Sequence, residues 1–303
     1  MERRAFLGAL TAPLIVAGVS TQTPPQAQTP PAAAAVQRAP RKGRLKQGVT
    51  RGVFARSGLS LEDMCREAAR LGIEGFDLIA PADWPTLKKY GLTSSMYPGG
   101  PGGTIPVGPS HKTEHARLLP LMHKAIDEAA ANGVPNIIVL TGQRTVPTGA
   151  TVTDAEGADN CVAFLNEIKA HAEDKQVTIC PEYLNSKVNH KDYMFDRFAW
   201  GLDVMKRVNS PRVKMLFDIY HAQIMDGDIV RNIRDNIQWI GHFHTGGNPG
   251  RHEIDDTQEL NYRFVMKAIA DLGFSGFVTH EYSPTQGNDA LKELAKAVEI
   301  CNV

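Results

Sequence analysis

An excess of charge of either sign is missing. Lys+Arg and Asp+Glu each number 33 in 303 residues, so no overall field favours nucleic acid or an anionic membrane. Cysteine is scarce: Cys65, Cys161, Cys180 and Cys301 lie far apart with no CxxC pair, which argues against a zinc ribbon or a disulfide framework. Buried thiols are the remaining reading. Long apolar runs are absent too. The one candidate follows Arg3-Arg4-Ala-Phe-Leu7 and ends near Val19, too short for a comfortable bilayer span. The glycine-rich stretch from Tyr97 to Pro106 lacks the Gly-Lys-Ser/Thr ending of a P-loop. Ala55-Arg-Ser-Gly58 is likewise a poor first turn for a dinucleotide-binding sheet.

Paired arginines followed by Phe-Leu resemble a twin-arginine export signal, which is an address and not an anchor. A Pro/Gln/Thr/Ala-rich stretch follows to about Val36, and its composition predicts disorder. Residues 1–35 therefore read as signal and spacer, and 36–303 as the folded part, with residues up to about 40 outside the fold. The expectation is an exported protein, periplasmic or extracellular, with no stable membrane span after processing.

What the chain has in quantity is alternation. Amphipathic helical patterns, each ended by Gly or Pro, alternate with short apolar runs that read as buried parallel strands. The strands are predicted at Gly48–Phe54, Phe76–Ile79, Gly91–Met96, Asn136–Leu140, Gln176–Glu182, Val213–Asp218, Gln238–His244 and Gly276–Glu281. Between them helices are predicted at Glu114–Asn132, Ala158–Ala172, Lys191–Val208, Asp228–Asn236 and Leu260–Leu272. A further one is capped by Ser60, with Asp63 three residues on. Eight strands over about 260 residues fit the α/β class as a (β/α)8 TIM barrel. The Tyr97–Pro106 stretch then becomes a mobile loop over the mouth.

Four of those runs end in a residue able to bind a hard cation: Glu182, Asp218, His244 and Glu281. A barrel aims the C-terminal ends of its strands at one mouth. Three carboxylates and one imidazole suit one divalent metal, Mg2+, Mn2+ or Co2+, with Zn2+ also admissible. His221 lies three residues after Asp218, and Arg251 follows His244 across Thr-Gly-Gly-Asn-Pro-Gly, so both come within reach of the mouth. Arginine holds a carboxylate or diol bidentately. His242 and His280 read as structural, and nothing singles out His111, His115 or His190.

Pro181-Glu-Tyr-Leu-Asn-Ser186, Phe217-Asp-Ile-Tyr-His-Ala-Gln-Ile-Met-Asp-Gly227, Gly247-Asn-Pro-Gly-Arg-His-Glu253, Glu259-Leu-Asn-Tyr262 and His280-Glu-Tyr282 resemble the hydroxypyruvate isomerase family. The wider set is the xylose-isomerase-like TIM barrels, which includes ketose 3-epimerases; a histidine at 244 is similar to the latter. The resemblance implies Glu182 and Glu281 as the acid/base pair and as metal ligands, Asp218 and His244 as the other ligands, and His221 and Arg251 as substrate contacts. It also implies an aldose–ketose type isomerase acting on a small hydroxy-carbonyl compound of the hydroxypyruvate kind through a cis-enediolate. The alternatives are a ketose 3-epimerase, an endonuclease-like barrel with several zinc ions, or a sugar-binding barrel without turnover. Neutral charge opposes nucleic acid as a partner, and a homo-oligomer is compatible with the sequence.

Overall fold

A computed structural model describes residues 38–303; the signal and spacer read from the sequence lie outside these residues. Eight parallel strands form one sheet in the order β3-β2-β1-β8-β7-β6-β5-β4. They are β1 Lys46–Val49, β2 Gly75–Asp77, β3 Thr93–Met96, β4 Asn136–Val139, β5 Thr178–Tyr183, β6 Met215–Asp218, β7 Ile240–Thr245 and β8 Phe277–His280. The gap between β3 and β4 is bridged just past β3, where the Tyr97 N–H donates to the Asn136 carbonyl at 2.8 Å. The sheet is thus a nearly closed barrel. Around it run α1 Leu61–Arg70, α2 Trp84–Lys89, α3 His115–Asn132, α4 Asp154–Lys175, α5 Phe198–Val208, α6 Ile219–Met225, α7 Ile229–Asn236, α8 Tyr262–Asp271 and α9 Ala290–Cys301. No described helix is long and apolar enough to cross a membrane.

Local sequence fixes the helix ends. Ser60 caps α1 by accepting from the Asp63 N–H at 3.1 Å, and the Asp63 carboxylate accepts from the Ser60 N–H in return. Thr153 and Glu156 make the same reciprocal box on α4, each box being worth about 1 kcal/mol. Gly133 ends α3 in the left-handed region, φ 73°, where a Cβ would be strained. The outward faces of the strands meet the helices through residues such as Ile179, Phe217, Phe243 and Val278, all fully buried. All four cysteines are buried and free, as expected.

The barrel's inside is different. One small apolar cluster, Met96, Ile138, Cys180 and Leu216, shares it with buried polar residues: Asp77, Ser95, Asn136, His242 and Thr279. Two glycines make room for these. A Cβ on Gly48 would lie 2.3 Å from the Thr279 hydroxyl, and one on Gly75 would lie 2.2 Å from that of Ser95.

Several boundaries differ from the sequence reading. The first strand stops at Val49, and Arg51–Phe54 turns into a short 3-10 helix. The helix expected from Lys191 starts only at Phe198. Residues 191–197 are instead held as a loop: Asp192, at φ 65°, accepts from the Thr145 N–H at 2.8 Å, and Asp196 pairs with Arg144 at 2.9 Å. These long-range contacts override local helix propensity. Helices α2, α6 and α9 were not anticipated.

The fold also starts earlier than position 40. The Ala39 N–H donates to the Ala69 carbonyl at 2.9 Å, Arg41 pairs with Glu74 at 2.8 Å, and the Arg44 N–H reaches the Val303 carbonyl at 3.0 Å. This segment lies across the barrel's N-terminal end. A chain beginning at Gly43 should lose about 1 kcal/mol relative to one beginning at Arg38, a fall of roughly 2–4 °C in melting temperature. Coincident thermal melts of the two would refute a role for residues 38–42.

Candidate active site

Parallel pairing puts the four strand-end residues at one mouth. Asp218 and His244 are register partners on β6 and β7, Glu182 stands near the end of β5, and Glu281 follows β8 directly. Strand tilt in a barrel offsets the register differences. One ligand-type atom from each residue falls within 4.8 Å of every other. The His244 Nδ1 lies 2.5 Å from Glu281 Oε2, 3.4 Å from Glu182 Oε1 and 4.0 Å from Asp218 Oδ2. Asp218 also caps α6, accepting from the His221 N–H at 3.2 Å.

Burial and charge divide the carboxyl groups. Burial pushes Glu182 above the usual carboxylate range, and Asp218 likewise in spite of nearby Arg251. Burial acts on Glu281 in the same direction, yet Arg251 and then His244 outweigh it and hold it down at about 2. The Arg251 guanidinium reaches both, with Nη2 2.6 Å from Asp218 Oδ2 and 2.8 Å from Glu281 Oε2. It also lies over the Tyr220 ring at 5.4 Å.

His221 is fully buried. Its Nδ1 accepts from the Asn185 backbone N–H at 3.2 Å, and an amide N–H can only donate. The proton of the neutral ring therefore sits on Nε2, which has no hydrogen-bond partner among the described residues and lies 3.7 Å from Asp218 Oδ2. Burial, then Arg251, pushes its pKa well below the ordinary histidine value, so the ring is neutral.

His280 is structural, as read: Nε2 meets Gln47 Oε1 at 2.9 Å and Nδ1 meets Thr245 Oγ1 at 3.1 Å. His242 points to the inside, on the same strand face as His244, with Nε2 2.7 Å from Asp77 Oδ2. Asp77 is the residue the sequence reading passed over, although it too ends a strand. Tyr262, in one of the motifs singled out, holds the loop after β7 by donating to the Gly246 carbonyl and accepting from its N–H.

A cavity of about 270 Å³ opens beside this cluster, lined by Thr50, Arg51, Asp77, Arg251, Glu281 and Tyr282 among others. A larger one, about 660 Å³, lies between the loop after β7 and α9 and touches none of the four strand-end residues.

The donors fit a hard divalent cation. Three carboxylates and one imidazole converge, with a carboxylate oxygen of each of Glu182, Asp218 and Glu281 within 4.0 Å of the buried His244 Nδ1. Such a set of oxygens with one nitrogen is the chemistry of Mg2+, Mn2+ or Co2+ sites.

Residues 65–301 match the family described as the xylose isomerase-like TIM barrel, and the chain belongs to that family. Among similar proteins is one of Homo sapiens named "Putative hydroxypyruvate isomerase", 30% identical over 54% of this chain and 59% of its own length. A Danio rerio protein of the same name is 35% identical over 36% of this chain and 40% of its own. The chain thus spans less than two thirds of the length of these two relatives. A Pectobacterium atrosepticum protein named 2-oxo-tetronate isomerase is 27% identical over 73% of this chain and 86% of its own. Among solved structures, an AP endonuclease of family 2 from Brucella melitensis superposes with a TM-score of 0.72 at 22% identity, covering 83% of this chain and 98% of its own. A D-psicose 3-epimerase from Clostridium cellulolyticum H10 does so with 0.69 at 19%, covering 85% and 98%. At these identities the likeness is one of fold.

Proposed function

We propose that this chain is a divalent-metal-dependent isomerase that moves a proton next to the carbonyl of a small hydroxy-carbonyl acid. The observation that carries this is the convergence of Glu182, Asp218, His244 and Glu281 at one mouth. The names of the relatives, isomerases of hydroxypyruvate and of a 2-oxo-tetronate, support the same substrate class. A cation held by these four residues would chelate the carbonyl and neighbouring hydroxyl oxygens and stabilise the negative charge that develops on them.

The chain's own residues do the rest. Glu182 and Glu281 come from strands separated by β6 and β7, so they reach the reacting carbons from different sides. One removes the C–H proton and the other returns a proton to the adjacent carbon. The neutral His221 offers its Nε2–H to a substrate oxygen, and Arg251 is placed to receive a carboxylate or a diol. The small cavity beside Glu281 suits a compound of a few carbons. Epimerisation would use the same groups and return the proton to the other face of the same carbon.

The decisive experiment is C–H exchange with deuterated solvent, using hydroxypyruvate and a 2-oxo-tetronate in the presence of Mn2+. Exchange with product formation supports the reading; Mn2+-loaded protein that exchanges neither compound nor a ketose refutes it. One variant checks the metal role separately. Asp218→Asn keeps the helix cap, since Asn caps as well as Asp, but removes a charged ligand. Mn2+ affinity should fall by at least about tenfold in protein that circular dichroism shows to be folded. Calorimetric titration showing equal affinity would remove Asp218 from the ligand set.

A further inference from the structure

We infer that Asp77 is the positioning residue of this site: a single carboxylate oxygen inside the barrel fixes which ring nitrogen of His244 faces the ligand cluster. The inference rests on the metal reading given above. Asp77 Oδ2 lies 3.1 Å from His244 Nε2 and 2.7 Å from His242 Nε2. A carboxylate accepts, so each histidine presents an Nε2–H to it. On His244 that leaves Nδ1 as the nitrogen turned towards Glu182, Asp218 and Glu281, the one whose lone pair a cation there would take. A carboxylate behind a metal-binding histidine sets its tautomer and ring angle and raises its basicity.

The remaining contacts hold Asp77 itself in place. Ser95 Oγ donates to its other oxygen. The His242 Nδ1 faces the Asn136 amide nitrogen at 3.4 Å, and that nitrogen also donates to the Ser95 carbonyl at 2.8 Å. Thr279 Oγ1 stands 3.1 Å from His242 Nε2. His242 is therefore a second donor on the same oxygen, held as the Nε2–H form by Asn136. Gly48 and Gly75 leave the space these side chains occupy. A buried carboxylate is costly, and an apolar filling of the same volume is often the more stable choice. Packing alone therefore does not account for a fully enclosed Asp77 directly behind His244. Orientation of a ligand does.

Asp77→Asn keeps the size but replaces one oxygen by an NH2 group. With its oxygen towards the rings the amide is a weaker, uncharged acceptor; with its NH2 towards them the facing ring nitrogen must accept, which drives the His244 proton round to Nδ1, the side needed by a cation. Mn2+ affinity, followed by electron paramagnetic resonance, should drop about 10- to 100-fold, with Ser95→Ala giving a smaller drop in the same direction. In the Zn2+-loaded wild-type protein, the 15N shifts of His244 should report a protonated Nε2 and an unprotonated Nδ1. This measurement decides the matter even where Asp77→Asn fails to fold: a protonated Nδ1 overturns the inference. Unchanged Mn2+ affinity in a folded Asp77→Asn, with only a lower melting temperature, would make Asp77 a packing residue and leave the metal site standing. Wild-type protein that binds neither Mn2+ nor Zn2+ overturns both readings together.

Discussion

Glu182→Gln and Glu281→Gln should each slow product formation by about 10² to 10⁴ while the proteins still take up Mn2+. Glutamine keeps the size and a carbonyl oxygen able to ligate weakly, but it has no basic lone pair of carboxylate strength. The two losses should differ in kind. The variant lacking the base loses exchange altogether. The variant lacking the second acid exchanges the first proton yet forms little product. Deuterium incorporation and product formation, measured on the same samples, separate the two. Normal exchange in both variants would make these residues ligands only. His221 is then a poor substitute, because its Nδ1 is taken by the Asn185 N–H and its Nε2 already carries a proton.

Arg251→Met should reveal how much repulsion the mouth holds. Three carboxylates, Glu182, Asp218 and Glu281, crowd one imidazole, and the guanidinium lies against two of them. Taking away one partner of a buried pair costs several kcal/mol. The Arg251 side chain is 24% exposed, so water screens part of the loss and about 2 kcal/mol is expected. That corresponds to roughly 5 °C in the melting temperature of metal-free protein. Mn2+ neutralises the same carboxylates, so its addition should raise the melting temperature further in the variant than in the wild type. Equal metal-induced shifts would mean that the guanidinium is not a counter-ion there. Substrate KM should also rise, a separate readout of the anion-binding role.

Much of this fold was written in short-range pattern. The Ser60–Asp63 box, Gly133 and the apolar runs feeding Glu182, Asp218 and His244 needed nothing beyond their neighbours to be read. What escaped depends on distant partners. The 191–197 loop is held by Arg144 and Thr145, some fifty residues back, which no local window contains. Helix α6 begins at the residue after Asp218 with no loop to announce it. Asp77 is the instructive omission. It closes Gly75-Phe-Asp77 much as Asp218 closes its own strand, but the run before it is short, and its meaning appears only when His242 and His244 arrive from the far side of the barrel. A rule that weighs a carboxylate by the length of the apolar run before it misses one that faces inward at a short strand.

The strap formed by residues 38–44 has a practical consequence. Arg38 and Ala39 contact the Ala69–Gly72 turn and Arg44 contacts Val303, whereas Glu182, Asp218, His244 and Glu281 open at the opposite end. Both ends of the described chain therefore leave the barrel on the side away from the chemistry. A bead, an electrode or a carrier protein coupled at Arg38 or at Val303 would hold the molecule by its back, with the reacting face turned to the bulk solution.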